Sequence, residues 1–209
     1  MRALLMVAIT AAGLVPAEVE ARAIDVICRA GWGARRPTKT LVKHAIKRMT
    51  VHHSGARLRD NRRAPRRIRG AQRYHQGRRK GWADIAYHYL IDLAGNVYEG
   101  RPAWARGDTG TNYDPTGHLL VCVVGDYGKQ KVAPAQVAAL VDLLAWGARR
   151  FKVSPATIRG HSDHAATSCP GRNLQRLIKS GALRRRVEAR QKAGGVSLRL
   201  VCGAAAKRR

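Results

Sequence analysis

The 209-residue chain is poor in acidic and aromatic side chains. It has 13 Asp and Glu against 40 Lys and Arg, which gives a formal net charge of +27, and Phe, Trp and Tyr make up only 5% of it. Such a charge implies an anionic partner, or else a solvated surface in an arginine-rich proteome. Nucleic acid is disfavoured as the partner, because the sequence has neither aromatic-interleaved basic strands nor zinc-finger spacing.

Long hydrophobic runs are also missing, except at the N-terminus. Residues 3–15 follow the positive Arg2 and are too short to span a bilayer, and Ala21-Arg22-Ala23 offers a small-x-small cleavage site. This pattern predicts a signal peptide over residues 1–23, with a retained membrane anchor as the alternative. We expect a secreted or periplasmic protein with no stable membrane insertion after signal removal. Its positive charge would then meet the anionic polymers of a cell wall.

The rest of the chain alternates strand and helix patterns, with no internal repeat or low-complexity segment. Apolar steps of three and four residues predict the clearest helix, and turn residues predict a hairpin. The predicted strands are residues 45–51 and 119–124, and the predicted hairpin is residues 85–99. The predicted helices are residues 64–77, 134–151 and 173–180, with Asn173 as the cap of the last one. The expected fold is α/β: a single domain over residues 24–183, with a central mixed β-sheet flanked by helices on both faces. A basic C-terminal extension over residues 184–209 would follow.

Imidazole and thiol groups cluster in two motifs. RGHSDHAATSCPG, residues 159–171, places His161 and Cys169 eight residues apart, and TVHHSG places His52 and His53 at the end of a predicted strand. Nitrogen and sulfur ligands favour zinc, and three protein ligands with an open fourth position form a catalytic zinc site. Adjacent strand residues point to opposite faces, so only one of His52 and His53 can face the metal. On spacing alone, surface histidines and a free or disulfide-bonded cysteine explain the pattern equally well.

Several motifs, in order, resemble a known family. RAGWGARRP, VHHSG, WADIAYHYLIDLAGNVYEGR and GHSDHAATSCPG are similar to segments of the zinc amidases that include phage-lysozyme-type amidases and peptidoglycan recognition proteins. The resemblance covers roughly residues 29–183. It implies Zn²⁺ held by His52, His161 and Cys169, and hydrolysis of the amide between N-acetylmuramic acid and L-alanine in peptidoglycan. A non-catalytic peptidoglycan-binding module is the alternative.

The resemblance also implies roles for other side chains. Tyr87 matches the tyrosine that the family places beside the metal, and Thr167 stands where the family has lysine or threonine, so both are catalytic candidates. If Tyr87 faces the metal, strand alternation puts Tyr89 on the same side and leaves His88 as a packed histidine.

The loop over residues 100–117 is long enough to predict a groove wall. The chain departs from the family here, because Gly107-Asp108-Thr109 stands in place of a common histidine and Tyr113-Asp114 in place of a Tyr-Asn pair. The nearby His118 favours a structural role. The candidate substrate-binding residues are His53, Arg101, Trp104, Asp108 and Thr109, with Gly31, Trp32 and Gly33 as further wall contacts. Trp32 and Trp104 could equally belong to the core.

Two cysteines remain once the others are assigned. Cys169 is a predicted metal ligand, and Cys122 lies in an apolar strand where buried thiols are inert. Cys28 and Cys202 flank the predicted domain, and an oxidising compartment lets them pair. We therefore expect a Cys28–Cys202 disulfide, although sequence alone does not fix connectivity. We also expect the protein to be a monomer and its partner to be peptidoglycan.

Overall fold

One mixed sheet organises the part of the chain that the structure, a computed structural model, describes: residues 22–203 and 206. Its strands lie in the order β6-β2-β5-β3-β4-β1-β7. The strands are β1 (Arg22–Ile27), β2 (Arg48–His53), β3 (Tyr89–Ile91), β4 (Val97–Glu99), β5 (His118–Val123), β6 (Arg159–Gly160) and β7 (Val196–Val201). Only the β3–β4 pair is antiparallel among these seven strands. The predicted mixed sheet is confirmed.

Helices cover both faces of this sheet. They are α1 (Ala64–Gln76), α2 (Pro134–Phe151), α3 (Arg172–Lys179) and α4 (Ala182–Lys192). Side chains of β5 alternate between two cores: Val121 and Val123 pack in the core that contains α2, α3 and α4, while Cys122 packs in the core that contains α1. This two-residue period is what a central strand requires when both of its faces are buried. The single α/β domain is therefore as predicted.

The longest helix, α2, closes the larger core. Pro134 stands in its first turn, where a missing backbone N–H removes no intrahelical hydrogen bond. Leu140 and Leu144, one turn apart, are both completely buried. Truncating either to alanine would cost about 2–5 kcal/mol of stability.

Two local predictions fail. The hairpin forms between β3 and β4, but Tyr89 does not share the side of Tyr87. The Tyr89 ring packs edge-on against Trp146 of α2 at 5.5 Å, whereas Tyr87 packs in the opposite core. The chain bends at His88 before β3 begins, so strand alternation does not reach back to Tyr87. Asn173 is also not the α3 cap, which is Gly171; its side chain instead donates to the Gln130 carbonyl at 2.9 Å.

Both ends of the described chain are tied into the domain. β1 begins at Arg22, whose guanidinium lies 3.2 Å from the buried Asp142 carboxylate, so Arg22 and Ala23 of the predicted signal segment belong to the sheet. The rest of that segment, residues 1–21, lies outside the described residues. In the segment 184–209, β7 pairs in parallel with all six residues of β1. Beside this pair, Cys28 and Cys202 are joined by a disulfide with a Cα–Cα distance of 5.4 Å.

Within residues 22–203, no helix combines the length and the apolar character that a membrane crossing needs.

Candidate metal centre

Three side chains of metal-ligand type converge at one edge of the sheet. His52 is near the end of β2, His161 directly follows β6, and Cys169 lies in the loop before α3. Their candidate ligand atoms all lie within 4.8 Å of one another. His52 Nδ1 is 3.6 Å from Cys169 Sγ, and the centroids of the two imidazole rings are 4.6 Å apart. The three residues that the motifs singled out are therefore brought together.

Strand register explains why the two histidines meet. β2 and β6 are parallel neighbours with Val51 paired to Gly160, and the residue that follows each of this pair along the chain is a histidine. The alternation of β2 then turns His53 away from the cluster. Its Nδ1 accepts a hydrogen bond from the Tyr127 N–H at 3.2 Å, and its own backbone N–H donates to Cys169 Sγ at 3.3 Å.

Burial sets the protonation states of these three side chains in the absence of a metal. It lowers the pKa of His52 well below its usual value and that of His161 to about 4, so both imidazoles are neutral at pH 7. It raises the pKa of the Cys169 thiol to about 12, and the His53 N–H only partly offsets this. A metal must therefore displace the thiol proton. Two neutral imidazoles and one thiolate are the donor set that zinc prefers, so the residues fit Zn²⁺.

Two hydroxyl groups of the loop 100–117 face the outer nitrogens of the histidines. Thr111 Oγ1 lies 2.7 Å from His161 Nε2, and the Tyr113 hydroxyl lies 3.4 Å from His52 Nε2. The sequence predicted this loop as a wall but did not single out Thr111, and Tyr113 was noted only as part of a departure from the family. No local pattern marks them, because their position depends on how the loop folds over the strands.

The two catalytic candidates adjoin the cluster. The Tyr87 ring centroid is 5.3 Å from that of His52, and burial raises the pKa of its phenol well above 10, so the hydroxyl stays neutral and can donate a hydrogen bond. Thr167 Oγ1 accepts a hydrogen bond from the Cys169 N–H at 3.2 Å. Both residues line the same cavity of about 320 Å³ as the three ligand-type side chains.

A second cavity continues from the first along α1. Its volume is about 830 Å³, and it shares Ser54, Lys80, Trp82 and Tyr87 with the metal cavity. We call this second cavity the α1 groove. Cationic residues on its wall are Arg66, Arg67, Arg73 and Lys80. The site is thus a small polar cavity opening into a larger, positively charged groove.

The predicted substrate-binding residues divide into two groups. His53, Asp108 and Thr109 line the metal cavity. Arg101 and Trp104 line neither this cavity nor the α1 groove. The buried Arg101 guanidinium donates to the carbonyls of residues 84, 85 and 106 and forms an ion pair with Asp108, so it shapes the loop from behind.

The other aromatic and histidine candidates are accounted for by packing or exposure. Trp104 is 52% exposed on the surface, whereas Trp32 is a core residue whose indole N–H donates to the Glu99 carbonyl at 2.8 Å. His88 accepts from the Leu120 N–H and faces the Ala105 carbonyl, as expected of a packed histidine. His118 Nδ1 lies 2.8 Å from Thr50 Oγ1, which agrees with a structural role.

Comparison with known proteins places this site in a family. The family model described as N-acetylmuramoyl-L-alanine amidase matches residues 42–172, a span that contains all three ligand-type residues. The chain belongs to this family. Peptidoglycan-recognition protein SC2 of Drosophila melanogaster is 31% identical over 160 residues, which cover 75% of this chain and 86% of the relative.

Solved structures agree with this assignment. Human PGRP-IBETAC in complex with glycosamyl muramyl pentapeptide superposes with a TM-score of 0.66 at 25% identity, over 74% of this chain and 94% of that one. The amidase LysC from Clostridium intestinale superposes with a TM-score of 0.61 over 78% of this chain and 97% of that one; at 21% identity it shows a shared fold alone. The family that is described as N-acetylmuramoyl-L-alanine amidase thus also includes recognition proteins.

Proposed function

We propose that this protein is a zinc-dependent amidase that hydrolyses the bond between N-acetylmuramic acid and L-alanine in peptidoglycan. The observation that carries the proposal is the convergence of His52, His161 and Cys169 beside the buried Tyr87 phenol, in a cavity that shares lining residues with the α1 groove. These three residues would hold a zinc ion with too few protein ligands to close the site, which is typical of catalytic rather than structural zinc sites. Zn²⁺ bound there supplies Lewis acidity that polarises a carbonyl and acidifies water.

The residues of this chain would then assist a displacement at the amide carbonyl. The neutral Tyr87 hydroxyl is a hydrogen-bond donor for the oxyanion that develops on the carbonyl oxygen. Thr167 holds the loop of Cys169 through the Cys169 N–H and offers its own O–H to the same cavity. Neither group is a base at neutral pH. Their proposed role is to hold charge and to orient the reacting groups.

The wall of the α1 groove supports an anionic substrate. Four cationic side chains line it, and the Lys80 ammonium lies 5.0 Å from the ring centroid of Trp82, so the groove offers an aromatic face as well as charge. The stem peptides of peptidoglycan carry carboxylates, and wall polymers carry further negative charge. We propose that the protein acts as a monomer on the cell wall after export, that anionic wall polymers contribute to its binding, and that nucleic acid is not its partner.

Recognition without cleavage is the second candidate. It is favoured by the names of the relatives, several of which are peptidoglycan-recognition proteins. A pure recognition module needs the groove and has no need of a metal, whereas this chain fills all three ligand positions. We therefore place hydrolysis first.

Chelation and metal return separate the two candidates. We expect the purified protein to solubilise insoluble peptidoglycan, to lose this activity after chelation and dialysis, and to regain it with one equivalent of Zn²⁺. His161→Ala should stay inactive after zinc is returned, because two remaining ligands hold the metal poorly. Unchanged activity in the chelated protein would contradict the metal mechanism.

A further inference from the structure

The Nε2 atom of His161 is hydrogen-bonded to a pair of linked threonine hydroxyl groups. Thr111 Oγ1 lies 2.7 Å from His161 Nε2 and 2.9 Å from Thr109 Oγ1. The Thr111 backbone N–H also donates to Thr109 Oγ1, at 3.2 Å. Both threonines come from the loop 100–117 and reach a side chain that follows β6. The loop therefore contacts the candidate ligand directly.

The direction in which these hydrogen bonds are donated decides which imidazole nitrogen of His161 can bind a metal. A neutral imidazole has one N–H and one lone pair, and a hydroxyl has a single proton to donate. If Thr111 gives its proton to Thr109, the Thr111 oxygen accepts from His161 Nε2–H and the Nδ1 lone pair is free. If the hydrogen bonds run the other way, Nδ1 carries the proton and cannot be a ligand. Thr109 Oγ1 has a second lone pair for the Thr111 proton, which permits the first arrangement.

The ring of His52 also has its Nε2 beside a hydroxyl group of the same loop. Its Nε2 faces the Tyr113 hydroxyl at 3.4 Å, and its Nδ1 faces Cys169 Sγ at 3.6 Å. The 3.4 Å contact is longer than a strong hydrogen bond, so the Thr111 contact is the firmer of the two. Both imidazoles thus have their Nε2 occupied by a hydroxyl of one loop.

We infer that Thr111, backed by Thr109, is a positioning residue that holds His161 as the Nε2–H tautomer and presents its Nδ1 to the metal, with Tyr113 doing the same for His52. The inference rests on the proposed zinc site and adds the hydroxyl groups that hydrogen-bond to its two histidines. Outer partners of this kind fix ring orientation and tautomer, and their loss typically weakens metal affinity about 10–100-fold. The loop has other anchors, namely the hydrogen bonds that the Arg101 guanidinium donates to the carbonyls of residues 84 and 85 and that the Arg106 N–H donates to the Val42 carbonyl. Loss of the Thr111 hydroxyl therefore leaves the loop held.

Zinc affinity in three variants tests the inference without any measurement of cleavage. Thr111→Val keeps the shape of the side chain and removes the hydroxyl, Thr111→Ser keeps the hydroxyl, and Thr116→Val makes the same change at a threonine that bonds Asp114 at 2.7 Å instead of a histidine. Competition with a chromophoric chelator should show about 10–100-fold weaker zinc binding for Thr111→Val. Thr111→Ser and Thr116→Val should bind as the wild type does. Wild-type affinity in Thr111→Val would overturn the inference, as would an equal loss in Thr116→Val.

Histidine nitrogen spectra give a second readout that needs no variant. Long-range ¹H–¹⁵N spectra of the zinc-loaded wild-type protein should show His52 and His161 as Nε2–H tautomers, with the metal shift on Nδ1. A metal shift on Nε2 of His161 would overturn the inference even if the protein cleaves peptidoglycan. Conversely, a zinc-binding protein that cuts nothing, yet loses affinity in Thr111→Val, would refute the proposed hydrolysis and leave the positioning role intact.

Discussion

Zinc binding should release one proton, and that proton should come from Cys169. Burial raises the pKa of this thiol to about 12. Each pH unit between that pKa and the working pH is about 1.4 kcal/mol, so displacing the proton at pH 6 costs about 8 kcal/mol of the binding free energy. The apparent zinc affinity should therefore rise about tenfold per pH unit. The histidines contribute no protons at pH 6, because burial lowers the pKa of His161 to about 4 and that of His52 well below 6.5.

Isothermal titration of the metal-free protein with zinc at pH 6, in buffers of different ionisation enthalpy, measures this number directly. The slope of observed enthalpy against buffer ionisation enthalpy should correspond to about one proton released. Cys122→Ala is the matched control, because it removes the other free thiol, which lies buried in β5, and should leave the slope unchanged. A slope of zero would mean that Cys169 does not lose a thiol proton when zinc binds. A slope of two or more would mean that the imidazoles are charged in the free protein, against the burial argument.

Three other predictions address the catalytic side chains, the groove and the termini. Tyr87→Phe should keep stoichiometric zinc and lose about 10²–10³ in turnover, since one donor to the oxyanion is gone. Thr167→Ala should lose less turnover. Steady-state rates that reverse this order would contradict the assigned roles. Sedimentation with insoluble wall material should weaken as salt rises, because the Debye length is only about 8 Å at physiological ionic strength. The double change Arg66→Glu with Arg73→Glu should weaken the salt dependence, because Arg67 and Lys80 still line the groove, whereas Lys192→Glu on α4 should leave it unchanged. Wild-type binding that is flat across the salt series would mean that charge does not hold the protein on the wall. Thiol counting in denaturant with chelator should find two reactive thiols, Cys122 and Cys169, whereas four would exclude a Cys28–Cys202 disulfide.

Much of the site could be predicted because its chemistry is local. The imidazole and thiol groups stand in short motifs, and a strand pattern before His52 is enough to place that residue at a sheet edge. The helix over residues 134–151 was predicted with its observed bounds, since a long apolar stripe at helical spacing depends little on tertiary context.

The parts that failed depend on contacts between distant segments. Strand alternation misplaced Tyr89 because a bend at His88 precedes β3. Arg101 was predicted to bind the substrate, yet its guanidinium is buried and donates to main-chain carbonyls of residues 85 and 106. Thr111 reaches His161 across 50 positions. No periodicity of the sequence encodes such contacts, because they are set by how one irregular loop folds over the ends of β2 and β6.

Product analysis with a defined muropeptide tests the central claim most directly. Protein carrying one equivalent of zinc is incubated with a disaccharide peptide, and the products are identified by mass spectrometry. Hydrolysis of the proposed bond should give a disaccharide with a free lactyl carboxylate and a peptide whose first residue is L-alanine with a free amine. The account would be contradicted if the zinc-loaded protein binds the muropeptide and leaves it intact, or if it cuts within the peptide or the glycan instead.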